Sequence, residues 1–165
     1  MRSWSRADVE ALRQAPRAEA WSGAAEALAI EDTEIYRAAT SVLEALAPLA
    51  ELSEVFETNP LVALRVVTAT RDVQRVGQVA ELLRHPSVAV RISAAETLGL
   101  LHAVDALKPA LRDPSGKVRA AAFRSTATAG DSASLHTLRE LAQHETDLVA
   151  RTALVDILDP HGLWP

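Results

Sequence analysis

The chain repeats a seven-residue pattern at nearly constant spacing, and this repeat constrains the fold more than any other feature. Three clear copies share a polar residue at place one, Pro at place two, an apolar residue at place six and Arg at place seven. They are NPLVALR at 59–65, HPSVAVR at 85–91 and DPSGKVR at 113–119. Weaker copies without the Pro occur at 31–37 and 144–151. Such a period is typical of proteins built from stacked, similar units.

Each copy has the features of a helix start. Asp, Asn or His at place one can cap exposed N–H groups, and Pro suits the first helical position. After the copy at 85, apolar residues follow at helical spacing from Val90 to Leu101. A second, shorter helix is predicted in each unit, at 73–83, 104–111 and 135–142. Each has an apolar row that is expected to face the first helices; in the earliest of them the row is Val73, Val76, Val79 and Leu83. The repeating unit is therefore a helical hairpin.

The predicted fold is all-α, because Ala and Leu dominate the composition and residues that favour strands are few. Two opening helices are predicted at 6–14 and 17–30, separated by Pro16. We expect a right-handed superhelix, a solenoid of about five hairpins, as a single domain over 1–165. Its parts are a capping pair at 1–30, repeats that start near 31, 59, 85, 113 and 144, and a tail at 159–165.

The helix start D-P-x-x-x-V-R, followed by a short second helix, resembles the HEAT repeat, in particular the HEAT-like repeats of phycobilisome lyases and many bacterial proteins. The resemblance implies a ladder in which place one of one repeat bonds the Arg at place seven of another. Asn59 and His85 replace the usual Asp, so hydrogen bonds are expected in place of ion pairs there. The ladder maps onto Arg37, Arg65, Arg91, Asp113, Arg119 and Arg151.

The sequence predicts no catalytic, cofactor or metal site, and therefore no enzyme. The absence of cysteine excludes thiolate chemistry. The five histidines lack the close spacing of metal ligands. Ser115-Gly116-Lys117 lacks the remainder of a phosphate-binding loop, and no nucleophile or dinucleotide motif is present.

Charge and hydropathy limit the classes of partner. The net charge is −5, and residues 1–58 hold five Arg and eleven acidic residues. Nucleic-acid binders normally show a clustered basic excess, so this distribution argues against nucleic acid. The N-terminal residues lack the apolar core of a secretory signal, and no apolar stretch reaches the length of a membrane span. We expect a cytoplasmic location without membrane contact.

The expected function is a non-catalytic protein–protein scaffold or adaptor, an accessory or regulatory subunit of a bacterial assembly. The resemblance places the second helices on the concave side, where their polar residues form the candidate partner-binding surface. These residues are Arg75, Gln78, Glu81, Asp105, Lys108, Arg112, His136, Arg139, Glu140 and Gln143.

Three alternatives to a scaffold stay open. The resemblance suggests bilin handling of the lyase type, although aromatic residues are scarce. The others are binding of nucleic-acid backbone by the concave face and neutralisation of a basic partner by the acidic N-terminal part. The tryptophans near the ends, Trp4, Trp21 and Trp164, are expected either to cap the core or to contact a partner.

Overall fold

The computed structural model describes residues 4–28, 30, 32–46, 51–130 and 132–165. Within these ranges the chain forms eleven α-helices and no strand, which confirms the predicted all-α fold. The helices are α1 Arg6–Ala11, α2 Arg17–Ala27, α3 Thr33–Leu46, α4 Glu51–Thr58, α5 Pro60–Thr70, α6 Val76–Glu81, α7 Val88–Leu100, α8 Val104–Leu107, α9 Gly116–Ala129, α10 Ser132–Ala142 and α11 Leu148–Leu158. Short 3₁₀ turns occur at Leu12–Gln14, Val73–Arg75, Leu82–Arg84, Ala110–Arg112 and Asp159–His161.

The chain divides into two compact units, Met1–Arg71 and Asp72–Pro165. In the first unit, α3 packs against α1, α2 and α5, and α4 packs against α5. Trp4 and Trp21 are buried there. A Cβ at Gly23 would come within 2.9 Å of the Trp4 ring, so the absence of a side chain allows this contact. Both tryptophans therefore belong to the core of this unit.

The second unit is a stack of helical hairpins. Its first helices α7, α9 and α11 pack side by side, with α9 in the middle. The second helix α8 packs against both α7 and α9, and α10 packs against both α9 and α11. Leu98, Leu107, Phe123, Leu138 and Leu154 are fully buried between these helices. This arrangement is an α-solenoid, in which each repeat contacts its neighbours.

The helix starts differ from the prediction in two of the three clear copies. Helix α5 begins as predicted, because Asn59 caps it and Pro60 is its first residue. Helices α7 and α9 begin after place three, so their N-cap residues are Ser87 and Ser115. The reason is that the place-one side chain bonds the backbone of place three. His85 Nδ1 accepts from the Ser87 N–H at 3.1 Å.

The predicted second helix at 73–83 is interrupted. A 3₁₀ turn precedes α6 and another follows it, and 3₁₀ geometry has three residues per turn instead of 3.6. Val79 and Leu83 are buried as their apolar spacing predicts. Val73 is 57% exposed, so the expectation that it faces the first helices was wrong. Among the described residues no helix is both long enough and apolar enough to cross a membrane.

Candidate interaction surface

Arg119 joins the starts of α9 and α11 through Glu145. Its Nε and Nη2 donate to the two carboxylate oxygens of Glu145 at 2.7 and 2.8 Å. Its Nη1 donates to the Asp113 carbonyl at 2.7 Å. The two paired side chains are only 18% and 7% exposed. Hydrogen bonds from Arg119 lower the pKa of Glu145, which therefore stays ionised beside the guanidinium.

Arg91 makes the equivalent contact one repeat earlier. Its Nε and Nη2 donate to Asp113 at 2.7 and 3.0 Å, and its Nη1 donates to the His85 and Pro86 carbonyls. Asp113 also accepts from the Ser115 N–H at 2.8 Å. The hydrogen bond to Asp113 raises the pKa of Arg91. These two bidentate contacts, Arg91–Asp113 and Arg119–Glu145, are called the rungs below.

The rungs show that the last repeat begins one residue later than predicted. We predicted that this copy begins near 144, with His144 at place one. In the structure, Glu145 is the residue that pairs with Arg119, and Arg151 donates to the Glu145 carbonyl at 3.5 Å. Glu145 and Arg151 are thus six residues apart, like Asp113 and Arg119. The copy has no extra residue, because its place one is Glu145.

The remaining ladder positions do not form rungs. Arg37 pairs with Glu34 of its own helix at 3.2 Å. Arg65 is exposed and has no ion pair or hydrogen bond of its side chain within the described ranges. The guanidinium of Arg151 lies 5.3 Å from the centre of the Trp164 ring, a cation–π contact that holds the tail against α11.

The predicted partner-binding residues all lie in the second unit, on or beside α6, α8 and α10. Eight of the ten are exposed, which leaves them available to solvent. Arg75 and Gln78 are half-buried, and Arg75 contacts both Asp72 and Gln78. Those two therefore have structural neighbours that the sequence did not indicate. The ten residues are called the second-helix strip below.

Lys108 and Asp105 form an ion pair within the strip. The Lys108 Nζ lies 2.7 Å from Asp105 Oδ1. The hydrogen bond from Lys108 lowers the pKa of Asp105. Both side chains are largely exposed, so the pair contributes little to stability. Its main effect is local charge balance on this part of the surface.

A groove of about 480 Å³ lies beside this ion pair. It is formed by α8, the end of α9 and the start of α10. Val104 and Leu111 supply apolar walls, while Ser134 and Thr137 supply hydroxyl groups. Asp105 and Lys108 also line it, so the groove and the second-helix strip overlap.

Thr126 lines the groove and carries a buried hydroxyl without a hydrogen-bond partner. Six other helical threonines behave differently, since their hydroxyls donate to the carbonyl four residues earlier. Thr97 donates to Ser93 at 2.8 Å, and Thr128 donates to Arg124 at 2.9 Å. In the described part of the chain, Thr126 Oγ1 is the one buried side-chain nitrogen or oxygen atom that has no hydrogen-bond partner. No sequence pattern indicated it.

A second groove, of about 340 Å³, lies in the first unit between α1 and α3. Arg6, Arg13 and Arg37 line it together with Glu10 and Glu34. Arg6 pairs with both glutamates at 2.7 and 2.9 Å, so the groove is an ion-pair network. No group of three or more His, Asp or Glu among the described residues is placed to hold a metal ion.

Residues 78–159 match the family of HEAT repeats. The match covers the part of the second unit that contains both rungs and the groove. This segment consists of HEAT-like repeats. The resemblance predicted from the helix starts is thus confirmed at the level of the repeat family, whereas the phycobilisome-lyase subtype stays a prediction. A comparison with curated proteins finds no match.

Proposed function

We propose that the chain is a non-catalytic interaction scaffold that binds a protein partner through the second-helix strip. HEAT repeats commonly mediate protein–protein interaction, which supports the class of function. The observation that carries the choice of surface is the division of the second helices into two faces. Leu107, Leu138 and Ala142 are buried against the first helices, whereas the charged residues beside them remain exposed.

The charges of the strip are mixed, which favours a partner that also carries both signs. Complementary charges raise the rate of association and select the correct partner more than they raise affinity. The two exposed arginines of the strip, Arg112 and Arg139, suit a charge reversal because neither forms an ion pair with a residue that the structure describes. Arg75 is less suitable, since its contact with Asp72 would be lost as well.

The test uses a double variant, Arg112→Glu with Arg139→Glu, and a matched control. The control is Lys117→Glu with Arg65→Glu, which changes the net charge equally at exposed residues of the first helices α9 and α5. The partner is first captured from the native host and identified by mass spectrometry. Binding of the purified partner is then measured by surface plasmon resonance at low and high salt.

We expect the strip variant to associate more slowly at low salt, by about tenfold, while it melts like the parent. The control should bind at the parental rate. Full-strength binding by the strip variant, together with weak binding by the control, would move the interface to the first helices and refute the assignment.

A further inference from the structure

Arg151 occupies place seven of the last repeat but forms no rung. In both rungs, the Nη1 of the arginine donates to a carbonyl of its own repeat, while Nε and Nη2 donate to the carboxylate before the next first helix. The Nη1 of Arg151 likewise donates to the carbonyl of Glu145, in its own repeat, at 3.5 Å. Its Nε and Nη2 have no ion pair or hydrogen bond with a residue that the structure describes. The two nitrogens that bind a carboxylate in the rungs are therefore available in Arg151.

The Trp164 ring restrains this side chain without using its donors. The guanidinium carbon of Arg151 lies 5.3 Å from the centre of the ring, and Arg151 is exposed. An arginine can stack on an aromatic ring and bind a carboxylate at the same time, because the ring contacts the face of the guanidinium and the carboxylate bonds its edge. A side chain that is already restrained loses less conformational entropy on binding. Arg151 is therefore better prepared to pair with a carboxylate than a free surface arginine is.

The face of α9 that adjoins its rung is covered by the start of α11. Places four, eight and eleven on α9 are Gly116, Ala120 and Phe123, and all three are buried. A Cβ at Gly116 would overlap the carboxylate of Asp147, the N-cap residue of α11. A helix start therefore makes two contacts with the preceding first helix, the rung at place seven and the cover over place four.

The same face of α11 is left largely open by the residues that the structure describes. Its places four, eight and eleven are Leu148, Thr152 and Val155. Leu148 is 78% exposed, Thr152 is exposed and Val155 is half-buried. Covering a leucine side chain is favourable, because it removes apolar surface from water. The internal repetition indicates what fits this face, namely a helix start with a carboxylate two residues before its N-cap.

We propose that this face of α11 binds a helix start of a protein partner, whose Asp or Glu side chain forms a third rung with Arg151. The Nε and Nη2 of Arg151 donate to the two carboxylate oxygens, and the partner helix covers Leu148. Such a bidentate, charged pair is stronger than a neutral hydrogen bond. An acidic residue at a helix start also interacts favourably with the dipole of its own helix. The site lies on α11, outside the second-helix strip, and goes beyond the proposed function.

The test uses a peptide as the helix start, so it does not require the natural partner. The acetylated and amidated peptide is Glu-Pro-Asp followed by three repeats of Ala-Leu-Ala-Lys, which favour helix. The control peptide begins with Gln in place of Glu. Each is titrated into the ¹⁵N-labelled full chain. The Nε–H signal of Arg151 and the backbone N–H signals of Leu148 and Thr152 are followed by nuclear magnetic resonance.

We expect the Glu peptide to shift these signals and to bind about fivefold more tightly than the Gln peptide. Arg151→Gln should remove this preference, and Arg151→Lys, which keeps the charge but not the two-donor edge, should reduce it to about twofold. Arg65→Gln, at the exposed place seven of α5, should behave like the parent. Equal binding of the two peptides, an unchanged preference in Arg151→Lys, or no binding of the Glu peptide would each overturn the proposal.

Sedimentation of the chain alone tests whether a second copy occupies this face. A chain that stays monomeric supports a different protein as the occupant. Self-association that Arg151→Gln abolishes would assign the face to a second copy and overturn the proposal.

The outcome can be separated from that of the proposed function. The variant Arg112→Glu with Arg139→Glu leaves α11 unchanged, so it should bind the Glu peptide like the parent. Full-strength binding of the natural partner by that variant, with the expected peptide preference, would refute the strip and support the third rung. Slow association of the natural partner with that variant, with no peptide binding by the parent, would support the strip and refute the third rung.

Discussion

Replacement of Arg119 by Ala tests whether the rungs hold the second unit together. The change removes two hydrogen bonds to Glu145 and one each to the Asp113 and Pro114 carbonyls. The Glu145 carboxylate, which is 7% exposed, then loses its guanidinium partner. It still accepts a hydrogen bond from the Asp147 N–H at 2.9 Å. Removing one member of a buried charged pair costs about 3 to 5 kcal/mol. Because Glu145 keeps this donor and Arg119 is partly exposed, we expect a loss of about 2 to 4 kcal/mol.

The chain provides a matched control at the same place in another repeat. Arg65 also occupies place seven, but it is exposed and has no described partner. Arg65→Ala should therefore change the free energy of unfolding by less than about 0.5 kcal/mol. Arg91→Ala removes the other rung and should resemble Arg119→Ala. The comparison separates the effect of the rung from that of losing an arginine.

The assay is urea unfolding followed by nuclear magnetic resonance. Signals from α9 and α11 report on the second unit even if the two units unfold separately. A double-mutant cycle with Glu145→Gln should give a coupling energy of about 1 to 3 kcal/mol between the two side chains. If Arg119→Ala and Arg65→Ala unfold at the same urea concentration, or if the coupling energy is zero, the rungs do not stabilise the stack.

Three further predictions concern single residues of the second unit. Hydrogen bonds from Arg119 lower the pKa of Glu145 in the folded chain. The ionised Glu145 therefore stabilises the fold fully above the ordinary carboxyl pKa of about 4.3, and this stabilisation is lost as the pH falls through the lowered pKa. The difference in unfolding free energy between the parent and Glu145→Gln should accordingly shrink below about pH 4. Gly116→Ala should lower the melting temperature, since its Cβ would overlap the carboxylate that caps α11, whereas Gly77→Ala, with open space, should raise it. Thr126→Val should raise the free energy of unfolding by about 1 kcal/mol, measured in urea, and a decrease would contradict the unsatisfied hydroxyl.

The sequence predicted the parts of the fold that depend on local periodicity. Helix starts recur with the Pro and Arg places, and apolar spacing identifies buried residues such as Leu98 and Leu107. The exact starts of α7 and α9 were not predictable, because they depend on side chains that bond the backbone two residues ahead. The exposure of Val73 was missed for a similar reason, since a 3₁₀ turn changes the periodicity.

The site was less predictable because it depends on contacts between repeats. Pairing of Arg119 with Glu145 sets the register of the last copy, and the sequence alone favoured His144. Arg75 is half-buried because it contacts Asp72 and Gln78. A helical wheel shows only the direction of each side chain and does not show these contacts. Sequence reasoning identified polar residues on the second helices but could not identify Thr126. What sets Thr126 apart is a hydroxyl without a hydrogen-bond partner, which only the structure shows.

The rungs and the groove lie toward opposite ends of α9, and this placement bears on where a ligand should be sought. Arg119, near the start of α9, donates to two carboxylate oxygens and two carbonyls. Thr126, near its end, is unsatisfied. Most buried polar groups of a protein are hydrogen-bonded, and exceptions often occur at functional sites. The stability of the rest of the fold then offsets the free energy that the unpaired group costs. The loss of about 2 to 4 kcal/mol that we expect for Arg119→Ala exceeds the expected cost of about 1 kcal/mol at Thr126. The second-helix strip, which the groove overlaps at Asp105 and Lys108, is therefore the first place to look for a bound partner.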